Sequence, residues 1–292
     1  MVTQPQQATQ VHTRLQAAAS RQRLGEVGRI VGLVTYVTFA LFPLFWILLM
    51  SLKKPIDVIA YPPKFIFTPT LDNYRDALSR PDFLLPYKNS LIVTIGALAV
   101  TLIIGLPAAY ALARMDFKRK EDIAFSFLSL RFAPELVIIL PLFVIYQQLK
   151  LYNTYIGLIL VYQLITFPLM VWMMRSFFED VPREIEEAIS IDGGTWWHSF
   201  FMISFRIVLP GVAASTVLGF IYAWNNFVFG LILAGRDTQV ITTGLLQFIS
   251  FQEIQWGSMA AGTMLTIIPE FLVAIFALRY MIRGLTAGVV KG

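Results

Sequence analysis

The residues of this sequence that could do chemistry are polar ones set inside long apolar runs. Arg131 and Glu135 stand four apart in one run, so on a helix they share a face and can pair. Glu270 follows Pro269 in another run, with no nearby partner in sequence. Trp224, Asn225 and Asn226 form an aromatic and amide patch in a third. A charge at the centre of a bilayer costs roughly 2.5–3.5 kcal/mol on insertion scales, so each such residue needs a reason. One reason is a substrate path, in which aromatic faces stack on the C–H surfaces of a solute and amides bond to its polar groups. The other is internal: a self-neutralised ion pair, amides bonding between helices, a tryptophan packing at the interface. Catalysis finds less support. The chain has no cysteine, and its two histidines, His12 and His198, are far apart. They supply neither a metal ligand set nor a catalytic dyad.

A second group of charges lies in a polar stretch. Val181-Pro182-Arg183-Glu184-Ile185-Glu186-Glu187-Ala188-Ile189-Ser190-Ile191-Asp192-Gly193-Gly194 reads as a short helix with an elbow. Pro182 suits a first helical turn, and Glu184 suits the positive end of the helix dipole. Ile185, Ala188 and Ile189 share one face, with Glu186 and Glu187 towards another. Gly193 or Gly194 can take the left-handed conformation that ends a helix. Thr195 then caps a second helix carrying Trp196, Trp197, Phe200 and Phe201. By periodicity alone, this is an amphipathic connector on a membrane surface.

The elements that must position these residues follow from composition. Of 292 residues, 57% are hydrophobic and only 14% charged, where a soluble domain carries about a quarter charged. A spanning helix needs about 20 mostly apolar residues. Six segments qualify: Ile30–Met50, Leu91–Ala113, Ile123–Tyr146, Ile156–Met174, Ile207–Leu233 and Met259–Tyr280. The expected fold is therefore an all-α, polytopic membrane protein with six transmembrane helices. A polar tail, 1–29, lacks the pattern of a cleaved signal peptide, so the first span reads as an uncleaved anchor. The transmembrane domain is 30–292, with its long polar loop at 175–206. With a cytoplasmic N-terminus, 14 Lys and Arg fall inside and 8 outside. The cluster Arg114–Lys120 in a short loop weighs most and places both termini in the cytoplasm. This distribution also accounts for the net charge of +5 without nucleic acid. In the outer loop after the first span, Asp72–Leu78 reads as a short helix capped by Asp72.

The stretch Glu187-Ala188, with Gly193 six residues after the glutamate and Pro210 opening a span, resembles the "EAA" loop of ABC importer permeases. Further matches stand in the same order: Ser51-Leu52-Lys53, Tyr61-Pro62-Pro63, Asp72-Asn73-Tyr74, Ala109-Tyr110-Ala111-Leu112-Ala113-Arg114, Pro141-Leu142-Phe143, Leu151-Tyr152-Asn153-Thr154, Ala223-Trp224-Asn225 and Arg283-Gly284-Leu285-Thr286-Ala287-Gly288. Together they resemble the smaller, second permease of maltose-type sugar importers from about Val34 onward. The resemblance implies a coupling helix that docks in a groove of an ATPase subunit, with Glu186, Glu187, Ala188, Asp192 and Gly193 as its coupling residues. It implies a second permease in a heterodimer, two copies of an ABC ATPase that bind ATP and Mg, an extracytoplasmic solute-binding protein, and a bacterial or archaeal plasma membrane with its lipid. No cofactor belongs to this chain itself. Two positions depart from the family: its second Ala is Ile189, and its usual first proline is Arg206.

The substrate path would draw on Arg131, Glu135, Trp224, Asn225, Asn226 and Glu270. The cargo could be a sugar, a polyol or a glycerol phosphate. Two other classes fit less well. A membrane-embedded enzyme needs converging acid, base or metal ligands. A secondary transporter usually carries an internal repeat, which is absent, and leaves the Glu187–Gly193 loop unexplained. A Walker-type glycine–lysine loop is also absent, so ATP hydrolysis falls to a partner.

Overall fold

Backbone polar groups in lipid must be satisfied within their own segment, which selects helices for long apolar runs. The computed structural model describes the backbone of residues 4–249 and 254–289, and side chains of 25–249 and 254–278. The side chains of His12 and of the segment 283–288, and all of 250–253, lie outside the described residues. The principal helices are α1 (Gln4–Ser51), α2 (Asp72–Ser79), α3 (Pro81–Arg114), α4 (Lys120–Phe132), α5 (Glu135–Gln148), α6 (Tyr155–Glu179), α7 (Arg183–Ile191), α8 (Trp196–Ile207), α9 (Leu209–Trp224), α10 (Val228–Leu233) and α11 (Trp256–Val289). Four helices among the described residues are long and apolar enough to cross a membrane, or six if each of two bent pairs counts as one span.

The bends revise two expectations. The third expected span is two helices, α4 and α5, meeting at 97°. Pro134 lacks an N–H and holds Ala133 extended at φ −70°, ψ 126°, which stops α4. The fifth expected span is also interrupted: α8 meets α9 at 75° at Val208, just before Pro210, and α9 ends at Trp224 before α10 begins. In the loop after α1, α2 starts with Asp72 inside the helix rather than capping it. Thr70 Oγ1 accepts from the Asp72 amide at 3.1 Å, in the place the aspartate was expected to fill.

The molecule is organised around the contact between α3 and α6. Small residues on α3 let the two approach; a side chain at Gly96 would meet Ile159 Cδ1 at 2.6 Å. Polar groups hold the seam where water is absent. Thr101 Oγ1 donates to Gln163 Oε1 at 2.7 Å, and Gln163 Nε2 donates to the Ala97 carbonyl at 3.0 Å. Towards the end of α3 at Arg114, a buried cluster of Tyr110, Met174, Phe178 and Phe200 forms the floor of the loop that carries α7. At the opposite end, Asn89 Nδ2 donates to the Asp237 and Gln239 carbonyls at 2.9 and 3.0 Å. Asn153 Oδ1 accepts from the Gly235 and Thr238 amides at 3.1 and 3.2 Å. α1 packs against α11, and its last turns meet Phe65, Asn73 and Tyr74, while most of the apolar segment from Gly25 onward is exposed.

Candidate functional site

The loop of 175–206 folds as helix, glycine elbow, helix. α7 begins at Arg183, with Pro182 as its N-cap, one residue outside the expected first turn. Gly193 has φ +81°, so it is the residue that takes the left-handed turn. Gly194 serves differently: a side chain there would collide with Ile189 Cγ2. Ile189 therefore folds back into the elbow instead of adding bulk to the exposed surface. Thr195 is the N-cap of α8; its amide donates to His198 Nδ1 at 3.3 Å. His198 thus serves the helix start.

The two faces of α7 differ from the expected pairing. Glu184, Glu187, Ala188 and Ile191 are exposed, and their spacing puts them on one helix face; Asp192 and Gly193 continue that surface. Ile191 is 85% exposed. Glu186 turns the other way. Its Oε2 lies 3.1 Å from Arg114 Nε, and its Oε1 accepts a hydrogen bond from Ser204 Oγ. The Arg114 and Glu186 side chains are only 8% and 14% exposed. Arg114 Nε–H is not aimed at the carboxylate, so the contact is an ion pair, while Nη2 donates to the Val181 carbonyl. Arg114 and Ser204 were not among the sequence candidates. The available signal was a basic residue in the last turn of α3 combined with a doubled glutamate in the loop.

Beyond the elbow, Phe200 points inward, with its ring centroid 5.1 Å from that of Tyr110. Trp196, Trp197 and Phe201 stack in series on the outside, with centroids 3.9 and 5.5 Å apart. Arg206 is exposed close to the bend between α8 and α9.

The intramembrane polar residues gather where helices break. No ion pair joins Arg131 to Glu135 among the described residues, because the break at Pro134 separates their helices. Arg131 instead lies over the Tyr222 ring, 4.5 Å from its centroid. Glu135, the first residue of α5, accepts from Asn226 Nδ2 at 3.1 and 3.2 Å. Asn226 sits in the break between α9 and α10, and its Oδ1 accepts from the Phe229 amide at 3.1 Å. The two breaks are therefore stapled to one another. Asn225 Nδ2 donates to Glu270 Oε1 at 2.8 Å, bringing in α11 and giving Glu270 the partner its sequence neighbourhood lacks. Arg131, Glu135, Tyr222 and Phe229 line a cavity of about 180 Å³. That is smaller than the usual 300 Å³ or more of a ligand pocket.

Trp224 does not join this polar layer. It is 1% exposed, stacked on Phe220 at 5.5 Å, and its Nε1 donates to the Thr266 carbonyl at 3.1 Å. Both ring faces are covered by protein, so in this conformation it packs rather than stacks on a ligand. Tyr222, two residues earlier, is the exposed aromatic ring that the sequence reading passed over.

Comparison with known proteins agrees with this architecture. Residues 101–286 match the family described as binding-protein-dependent transport system inner membrane component. A probable ABC transporter permease of Sinorhizobium fredii is 34% identical, covering 84% of this chain and 88% of its own. The trehalose/maltose transport system permease of Thermococcus litoralis is 31% identical, covering 90% and 96%. A diacetylchitobiose uptake system permease of Streptomyces coelicolor is 30% identical, covering 93% and 99%. Among solved structures, a chain of a bacterial ABC transporter involved in import of the acidic polysaccharide alginate superposes with a TM-score of 0.74 at 20% identity, covering 89% and 97%. This last likeness speaks for the fold. With helices that suit a membrane and an exposed loop of the EAA kind, the chain belongs to the family of binding-protein-dependent transport system inner membrane components, the ABC importer permeases.

Proposed function

We propose that the chain is one of two different permease subunits in an ATP-driven sugar importer of a bacterial or archaeal plasma membrane. The observation that carries the coupling assignment is α7: an exposed helix, closed by a glycine at φ +81° and anchored from behind at Glu186. Its outward surface of Glu187, Ala188, Ile191, Asp192 and Gly193 docks in a partner ATPase. Two ATPase copies bind ATP and Mg, and their closure moves the helices. An extracytoplasmic binding protein delivers the cargo at the other end. A sugar is favoured because relatives over nearly the full chain serve trehalose, maltose and diacetylchitobiose.

The chain crosses the membrane six times, with α4–α5 and α8–α9 as bent spans and both termini in the cytoplasm. It forms half of the translocation path. Arg131, Glu135, Asn225, Asn226 and Glu270 provide its polar lining, and the small cavity beside Arg131 suits a half-site completed by the second permease. An apolar groove of about 630 Å³, lined by Leu209, Val212, Leu272 and Val273, leaves lipid or that permease to cover this side.

Co-purification tests the docking assignment. Glu187→Arg and Gly193→Pro are expected to lose the ATPase subunit while the transmembrane core keeps its thermal transition. Full ATPase retention in both variants would exclude α7 as the docking helix.

A further inference from the structure

α7 needs more than an exposed face to move the transmembrane helices. A docked helix that slips against its own protein transmits nothing. Among the described residues, the side-chain polar links between α7 and the rest of the molecule run through Glu186, to Arg114 on α3 and to Ser204 on α8. The last two turns of α3 touch the end of α6, Glu186 of α7 and Phe200 of α8. Arg114 Nη2 donates to the Val181 carbonyl where α6 runs out, and its Nε pairs with Glu186 at 3.1 Å. Tyr110 stands one turn earlier on α3. Its ring meets Phe178 of α6 at 5.4 Å and Phe200 of α8 at 5.1 Å.

We propose that Glu186 is a positioning residue rather than an ATPase contact, and that the Arg114–Glu186–Ser204 cluster clamps α7 to α3 so that they move as one lever. The inference rests on the docking role proposed for α7. The burial of both charges is the physical reason. An exposed pair exchanges partners with water and lets the helices slide. A pair 8% and 14% exposed cannot part without leaving a charge uncompensated in a site largely shielded from water. α3 is also the helix packed along α6 through the centre of the molecule, so a displacement taken up at Arg114 is passed along that contact. Glu187, the next residue, faces outward, so the two adjacent carboxylates divide the work: one meets the partner, the other holds the lever.

The chain has no cysteine, so spin labels can be placed cleanly. Arg183→Cys reports on α7 and Ile103→Cys on α3, both exposed and outside the proposed docking surface. Pulsed electron resonance on the complete complex, with and without ATP and vanadate, is expected to give one narrow distance that nucleotide does not change. Glu186→Gln and Arg114→Met should each lose that single population and make the distance nucleotide-dependent, with the ATPase still bound. Arg114→Lys should restore the narrow population. Ser204→Ala, which removes one hydrogen bond and no charge, should broaden the distribution less and serves where a charge variant fails to fold. An unchanged narrow distance in Glu186→Gln, Arg114→Met and Ser204→Ala would overturn the clamp. Loss of the ATPase from Glu186→Gln at an unchanged distance would also overturn it, by making Glu186 a docking contact. Retention of the ATPase by Glu187→Arg would instead count against the docking role of α7, and the label distance would still read the clamp.

Discussion

At the scale of single residues, neighbours in sequence do opposite things. Glu186 is buried against Arg114 while Glu187 meets solvent. Trp224 is covered on both ring faces, Asn225 is exposed and bonded to Glu270, and Asn226 is buried and bonded to Glu135. Residue type made Glu186 and Glu187 candidates for one site and Trp224, Asn225 and Asn226 candidates for another; only direction separates the members of each. Trp224 can be tested as a packing residue. Trp224→Phe removes the bond to the Thr266 carbonyl and is expected to cost about 1 kcal/mol. Trp224→Ala leaves a cavity and should cost about 3–5 kcal/mol. Thermal unfolding of the purified complex reads both losses. A wild-type transition in Trp224→Ala would show that the ring is not part of the core.

At the scale of elements, the useful feature is the helix break. An unbroken third span would have aligned Arg131 with Glu135 as a self-neutralised pair. Pro134 separates them and swings the start of α5 onto the start of α10. There Glu135 and Asn226 satisfy each other, and Asn226 caps the amide of Phe229. Non-helical backbone at membrane depth is tolerated where protein satisfies it, and this contact supplies that. Glu135→Gln keeps an acceptor for the Asn226 amide and is expected to hold the unfolding temperature near wild type. Glu135→Leu leaves that buried amide unpaired and should cost about 1–3 kcal/mol. Equal stability of the two variants would remove the staple from the account. The prolines were legible in the sequence as interruptions. The angle of 97°, and which break faces which, depended on packing against α6 and α9.

At the scale of the whole molecule, the proposed orientation puts α7 and the turn at Asn153 on opposite sides of the membrane. Single cysteines in a chain that has none provide the test. Arg183→Cys, exposed on α7 and outside its docking surface, should react with a membrane-impermeant maleimide only after cells are opened. Arg236→Cys should react in intact cells, since it lies in the loop held by Asn153. The reverse pattern would invert the topology and put α7 out of reach of any cytoplasmic ATPase. A large loss of stability, with the ATPase still bound, is expected from breaking the paired charges beneath α7. Removing one partner of a buried ion pair generally costs about 3–5 kcal/mol, against 0–1 kcal/mol for an exposed one.

The sequence by itself determined the class of molecule and the loop that identifies its family. Apolar run length is set by bilayer thickness, and a helix–glycine–helix pattern is local, so both can be read along the chain. Gly193 was legible for the same reason, since a left-handed turn depends on the residue that makes it. What the tertiary structure decided was partnership. Arg114 with Glu186, Glu135 with Asn226, Asn225 with Glu270 and Arg131 with Tyr222 are separated by 72, 91, 45 and 91 positions. No local periodicity spans such gaps. Those pairings exist because the helices pack around the contact between α3 and α6, and that packing sets which polar groups finish close enough to need one another.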